Sequence, residues 1–338
     1  MTAATIDLPL VWAGILAFAV LAYVLLDGFD LGVGILFAVE RSRDDRDLMV
    51  NTIAPVWDGN ETWLVLGGGG LFAVFPLAYS IILPALYPPI IAMLLALVFR
   101  GVAFEFRFRA TGSGRAWWDV AFFSGSTMAA LCQGLVLGGL LQGIHVKGVS
   151  YSGGWWDWLT GFTVLCGLAV VVGYTLLGSC WLIWRTEGPL HERCRRYART
   201  TAVAVLALIV VVTLWTPMLQ GSLAARWFRW PDIAFTAAVP VLLILLAAGF
   251  WRSLSARRQA LPLLFAYGIF ILCYAGLLIS LYPYLVPPAI SFRDAAAPRA
   301  SLLFLLVGAV ITVPMILGYT AYAYSVFKGK MRPGEGYH

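Results

Sequence analysis

Long apolar runs dominate the chain, each bounded by charged residues or by clusters of Pro, Gly and Ser. Their lengths predict membrane-spanning helices over about 9–39, 57–76, 80–104, 117–144, 157–184, 199–219, 231–251, 260–285 and 302–327. Backbone in lipid must satisfy its own N–H and C=O groups, and these runs are far too long for barrel strands. The expected fold class is therefore an all-α integral membrane protein with nine transmembrane helices. Polar connections of at most about fifteen residues leave no room for a separate water-soluble module, so residues 1–338 read as a single polytopic membrane domain. The first run continues to about Val39 with no basic segment before it and no early cleavage site, and reads as a retained span.

Composition agrees, with 61% hydrophobic and only 12% charged residues among 338. Charge adds the orientation. Of 23 Lys and Arg residues, eighteen fall in or beside connections on one side, and the five others are Lys147, Arg226, Arg229, Arg293 and Arg299. The positive-inside rule then puts the N-terminus outside and the C-terminus in the cytoplasm. A net charge of +6 is what this selection produces, and no nucleic acid partner is expected. A short similarity links Gly28-Phe29, followed by Glu40-Arg41, with Gly173-Tyr174, followed by Arg185 to Glu187; Thr175 stands where Asp30 would be. It suggests a parallel repeat of two four-helix bundles, about 9–146 and 157–285, plus a ninth, peripheral helix at about 302–327.

The chemistry concentrates near the N-terminus. Asp27, Asp30, Asp58, Glu61, Arg100 and Glu105 lie within or at the edge of the first three apolar runs, and the later runs read as free of such charges. A charge at the bilayer centre costs about 2.5–3.5 kcal/mol on insertion scales, so a cluster of them points to function. Asp27 and Asp30 are three apart, as are Asp58 and Glu61, which puts each pair on one helix face. The orientation gathers all of them in the cytoplasmic half, with Asp30 roughly 13 Å before the inner end of the first helix. Buried neighbouring carboxylates bind protons more tightly and titrate apart, the properties of a relay in which Arg100 serves as counter-ion. Structural readings compete at two positions: Asp58 with Asn60 as a helix cap, and Glu105 with Arg109 as an interfacial ion pair. The run Gly67 to Gly70 lacks the strand and the Gly-Lys-Ser/Thr of a phosphate loop, and is expected to permit close helix approach.

Other chemistries find little footing. Five cysteines (Cys132, Cys166, Cys180, Cys194 and Cys273) form no disulfide framework or zinc spacing, and read as four buried hydrophobes plus one exposed thiol, Cys194, in a basic loop. His145, His191 and His338 fall in connections or the tail, and only Met93, Met128 and Met315 are mid-span sulfur donors. No haem ligated by this chain alone, no metal and no catalytic residue are expected. A proton-coupled secondary transporter would suit the acids, but Pro84, Pro88 and Pro89 break the third span with no counterpart beyond Pro240 in the fifth to seventh spans. A purely structural scaffold, with the acids as ion pairs between subunits, is the other alternative.

Three stretches carry a family resemblance: Leu26-Asp27-Gly28-Phe29-Asp30-Leu31-Gly32-Val33-Gly34, Ala54-Pro55-Val56-Trp57-Asp58-Gly59-Asn60-Glu61-Thr62-Trp63-Leu64, and Phe99-Arg100-Gly101-Val102-Ala103-Phe104-Glu105-Phe106-Arg107. With Leu281-Tyr282-Pro283-Tyr284-Leu285-Val286-Pro287-Pro288, they make the whole chain resemble subunit II of cytochrome bd quinol oxidases, most nearly the cyanide-insensitive branch. The resemblance implies a bacterial inner-membrane respiratory complex that oxidises quinol and reduces oxygen to water. In it, subunit I holds haem b and haem d, and this chain is the haem-free partner. It further implies a cytoplasmic proton pathway through Asp27, Asp30 and Asp58; Glu61, Arg100 and Glu105 match the motifs, but some members carry glutamine at the position of Glu61. A small single-span accessory subunit and a quinone or lipid bound inside this subunit are further candidates it brings.

Overall fold

The computed structural model describes residues 6–219, 227, 230 and 232–331. It is helical almost throughout: α1 (Leu8–Ile35, extended by a 3-10 turn at Leu36–Ala38), α2 (Arg43–Ile53), α3 (Trp57–Val74), α4 (Pro76–Ala85), α5 (Tyr87–Arg109), α6 (Ser113–Gln142), α7 (Gly161–Arg185), α8 (Gly188–Leu219), α9 (Asp232–Ser255), α10 (Leu261–Leu281) and α11 (Arg299–Val326). Two short antiparallel hairpins, β1–β2 (Val146–Lys147 with Ser150–Tyr151) and β3–β4 (Tyr284–Val286 with Ile290–Ser291), decorate one end. The tyrosine-proline motif at residues 281–288 thus closes α10 and builds the second hairpin. Among the described residues, eight helices are each long and apolar enough to cross a membrane, and α3 with α4 makes a ninth if the pair is taken as one span.

That pair departs from the expected layout. α3 and α4 meet at 118° about Phe75, where Pro76 opens the second helix. α3 alone, 18 residues or about 27 Å, runs antiparallel along α1, because Asn60 meets Leu26 near one end and Gly70 packs on Leu16 near the other. α4 instead lies against the two hairpins. The third span therefore begins at Tyr87 rather than at residue 80, since Pro88 and Pro89 fit only the opening turn of a helix. Four glycines were expected to bring helices close, and two of them do: Gly67 and Gly70 face α1, whereas nothing lies within 4 Å of a side chain at Gly68 or Gly69.

The tightest crossing joins α1 and α7, which run parallel. A β-carbon on Gly32 would sit 1.8 Å from the Tyr174 carbonyl oxygen, and one on Gly178 would sit 2.4 Å from the Gly32 carbonyl carbon. Phe29 stacks on Trp181 beside this contact, with ring centroids 4.1 Å apart. The hairpin end is tied by Trp12 Nε1 donating to the Leu302 carbonyl (3.1 Å) and by Ile144 N donating to Pro287 O (2.9 Å).

At the opposite end α2 is an element the hydropathy pattern does not announce. Ser42 caps it by accepting from Asp45 N, its apolar residues Leu48, Met49 and Ile53 are buried, and Asp45, Arg46 and Asp47 form ion pairs with α8, α6 and α5. α8 also starts eleven residues before the expected 199, because the basic segment there is helical. That helix buries Cys194, so the thiol expected to be exposed is not. Arg226, Arg229, Arg332 and His338, used in the sequence reading, lie outside the described residues.

An exposed ion pair at the hairpin end gives a pH-dependent contact. Asp7 caps α1 by accepting from Leu10 N and also accepts from Arg293 Nη2 at 2.8 Å, which holds its carboxyl below the ordinary carboxylate range. A depressed folded-state value means that this contact stabilises above the ordinary carboxylate range and is lost as pH falls through the lowered value. Asp7→Asn is expected to lower the thermal midpoint slightly at neutral pH and low salt, and to leave it unchanged once the pH lies below both values; scanning the two proteins across pH checks it.

Candidate functional site

Three helices bring the expected acids to one buried place. α1 contributes Asp27 and Asp30, both 0% exposed, and α5 contributes Arg100 at 1%. Arg100 Nη2 lies 3.2 Å from Asp27 Oδ1, and its Nη1 donates to Glu61 Oε1 on α3. The guanidinium also faces the Trp57 ring at 6.0 Å. One cation thus joins acids from two helices on either side of it. α6 fixes the height of Arg100, because Gly125 lies so close that a β-carbon there would be 2.7 Å from Ala96 O and 3.1 Å from Arg100 N.

Asp30 has different company, although it shares a helix face with Asp27. Asn60 Nδ2 donates to its Oδ2 at 2.7 Å and also to Leu26 O at 3.3 Å, while Tyr324 OH on α11 donates to Asn60 Oδ1 at 3.1 Å. Asp30 Oδ1 has no hydrogen-bond partner among the described residues. The capping role considered for Asn60 is overturned: its side chain turns into the core. Asp58 makes no capping hydrogen bond either, since Val56 is the N-cap; it sits exposed in the first turn of α3, where the helix dipole favours a negative charge.

Burial separates the two members of the second acidic pair. Asp58 is exposed, whereas Glu61 is 26% exposed and reaches inward to Arg100. The sequence of groups from surface to core is therefore Asp58, Glu61, Arg100, Asp27. Glu105 stands apart: it is exposed and forms no ion pair with Arg109 or any other described residue, so it does not support the cluster. Among the described residues no group of three or more His, Cys, Asp or Glu is placed to hold a metal ion.

The sequence reading missed a second buried charge cluster beneath α2. Arg107, 0% exposed, has its Nη2 2.7 Å from Asp47 Oδ1 and donates from Nε to Asp119, while Arg46 Nη1 approaches Asp119 Oδ2 at 2.9 Å. Asp119 lies within α6, which contradicts the expectation that later spans carry no charge. A heptad-scale view of α6 could have found it, because Asp119 stands on the same face as buried Phe122 and Ser126. Nearby, Glu40 is held by Arg193 Nε (3.0 Å) and Tyr197 OH (3.1 Å). Neutral partners such as Asn60 and Tyr324 were invisible to a search for charge.

Comparison with known proteins gives this arrangement a family. The chain is 28% identical over 366 residues to the "Probable cytochrome oxidase subunit 2" of Haemophilus influenzae, covering 96% of this chain and 95% of that one. It is 28% identical over 364 residues to "Cytochrome bd-I ubiquinol oxidase subunit 2" of Escherichia coli K12, with the same coverage. It is 27% identical over 336 residues to "Cytochrome bd ubiquinol oxidase subunit 2" of Bacillus subtilis, covering 96% and 97%. A chain of the bd oxidase structure from Geobacillus thermodenitrificans shares the fold with a TM-score of 0.73, at 18% identity, over 95% of this chain and 99% of that one. The model of the family "Cytochrome bd terminal oxidase subunit II" matches residues 8–327, which takes in every helix and all four acids of the cluster, and the chain belongs to that family.

Proposed function

We propose that this chain is the haem-free half of its oxidase and carries cytoplasmic protons to the site of oxygen reduction in subunit I. As a family member it is part of a quinol oxidase, an oxidoreductase of the respiratory chain, and a multi-pass protein of the bacterial inner membrane. Haem supplies the oxygen-reducing chemistry of the complex. This chain's residues do not fit a haem of their own. Among the described residues His145 and His191 stand at helix ends or in connections, Met128 and Met315 are exposed, and Met93, the buried mid-span methionine, packs in the hydrophobic core with no histidine in a span to act as second ligand.

The reading rests on one observation above all: the acids lie at graded depth, from exposed Asp58 through Glu61 at 26% exposure to fully buried Asp27, the last two joined by Arg100, with Asp30 one turn further along α1. Among the described residues Arg100 is the one base paired with Asp27 and Glu61, and neighbouring buried carboxylates that share a single cation can exchange protons, which is what a relay requires. Helix polarity supports the orientation. Alternating antiparallel packing gathers the ends of α1, α5, α7 and α9 and the starts of α3, α6, α8 and α10 on one face, together with most of the basic residues. With that face in the cytoplasm, Asp30 lies five residues, about 8 Å, from the inner end of α1, closer than the expected 13 Å because the helix ends at Ile35. The parallel α1/α7 crossing supports the proposed repeat of four-helix halves, 9–146 and 157–285, with α11 outside them.

Asp58→Asn tests the path at its intake. In the purified complex, with haem content at the parental level, oxygen reduction is expected to slow about tenfold, a barrier increase of about 1.4 kcal/mol. A fully assembled variant that turns over at the parental rate would leave the acids with a scaffolding role.

A further inference from the structure

Asp27 has a second neighbour that the charge cluster does not explain. Gln133 on α6 is a polar residue within a membrane-length helix, and its amide is satisfied at both ends by tyrosines from two other helices. Its Nε2 donates to Tyr23 OH on α1 at 2.8 Å, and its Oε1 accepts from Tyr174 OH on α7 at 2.6 Å. Tyr23 and Tyr174 are both buried. With Nε2 on Tyr23 and Oε1 on Tyr174, the bonds run one way, since an amide nitrogen only donates and an amide oxygen only accepts. Tyr174 therefore spends its proton on Gln133, Gln133 spends one on Tyr23, and the Tyr23 proton is left to point onward.

What it points toward is Asp27. Tyr23 precedes Asp27 by four residues, the spacing that stacks two side chains on one helix face, and its hydroxyl faces that carboxylate. The approach is looser than a completed hydrogen bond, since both Asp27 oxygens lack one among the described residues, and Arg100 approaches from the other side at 3.2 Å. Gly28 makes the arrangement possible: a β-carbon there would come within 2.8 Å of the Tyr174 ring, so only a glycine lets that ring lie against α1 beside Asp27. A proton cannot pass through the central amide without converting it to its imidic form, so this chain orients and does not conduct.

We infer that Tyr23, Gln133 and Tyr174 are positioning residues for Asp27, a line of donors from α7 through α6 to α1 that holds its carboxyl group toward Arg100. The inference rests on the proposed role of Asp27 in moving protons, but it is tested by a signal from Asp27 itself. In the intact complex, the infrared band of the Asp27 carboxyl group is the one lost in Asp27→Asn. Tyr23→Phe is expected to shift that band and to slow oxygen reduction about threefold to tenfold, the range for losing one ordinary polar contact, with haem content unchanged. Tyr174→Phe keeps the ring that fills the space over Gly28 and removes only the far donor, so it is expected to shift the same band by less. An unmoved band in an assembled Tyr23→Phe complex overturns the inference; if that variant does not assemble, an unmoved band in Tyr174→Phe does so. Parental turnover in Asp27→Asn would instead defeat the relay, while the band shifts would still decide whether this chain positions Asp27.

Discussion

Arg100→Met is expected to abolish accumulation of the complex in the membrane. The substitution preserves length and apolar bulk on α5, but removes the cation that Asp27 and Glu61 share. Asp27 is fully buried, and deleting one partner of a buried ion pair costs about 3–5 kcal/mol because the other charge is left without compensation. That is a large fraction of the stability of a typical domain. The helices involved are also the ones that pack around the site, so loss of α5 from the cluster exposes α1 and α3 together. Haem content of solubilised membranes, with immunodetection of this chain, reads the outcome. Combining Arg100→Met with Asp27→Asn and Glu61→Gln removes the stranded charges and is expected to restore assembly without restoring oxygen reduction. If Arg100→Met alone accumulates normally, the ion pair does not hold the three helices.

Gly32→Val is expected to be equally severe for a reason that involves no charge. The α1/α7 crossing leaves no volume at all on that side of Gly32, and even an alanine methyl would overlap the Tyr174 carbonyl. Side chains can swing aside, but here the obstacle is backbone on both helices, so the helices must separate. Separation would also pull Phe29 from Trp181 and move the turn that carries Asp30. Overpacking in an accommodating core costs about 1–3 kcal/mol, and an obstacle made of main chain lies beyond that range. Gly14, on the same helix but with nothing within 4 Å of its added β-carbon, is the control: Gly14→Ala is expected to leave assembly unchanged. The yield of folded complex from the two variants, compared by size-exclusion chromatography, checks the contrast.

The two predictions mark different kinds of legibility. Asp27, Asp30, Asp58, Glu61 and Arg100 stood out in the chain because charge in an apolar run is costly wherever it lies, and three of them do meet in the structure. Glu105 had the same signature and lies outside the cluster, since five residues after Arg100 bring it about 140° around α5, away from α1 and α3. Asn60, Tyr324, Gln133 and Tyr23 carry no charge, and neutral polar residues in helices are too common to be singled out without their partners. Asp119 was overlooked because it sits near the start of its helix, where a charge reads as interfacial; its burial depends on α2, an element too polar for hydropathy to detect.

Hydrophobic run length by itself determined that this is an all-helical membrane protein and placed most spans to within a few residues, because a bilayer permits no other way to satisfy so much apolar backbone. Charge within apolar runs determined which acids to watch. Only the tertiary structure decided that α4 turns aside at Pro76, that Asp27 and Asp30 answer to different partners, and that Gly32 rather than the glycine run makes the closest helix contact. Those outcomes depend on which helix faces which. Sequence spacing gives the angle at which a side chain leaves its own helix, but the neighbour it meets is set by packing between segments far apart in the chain.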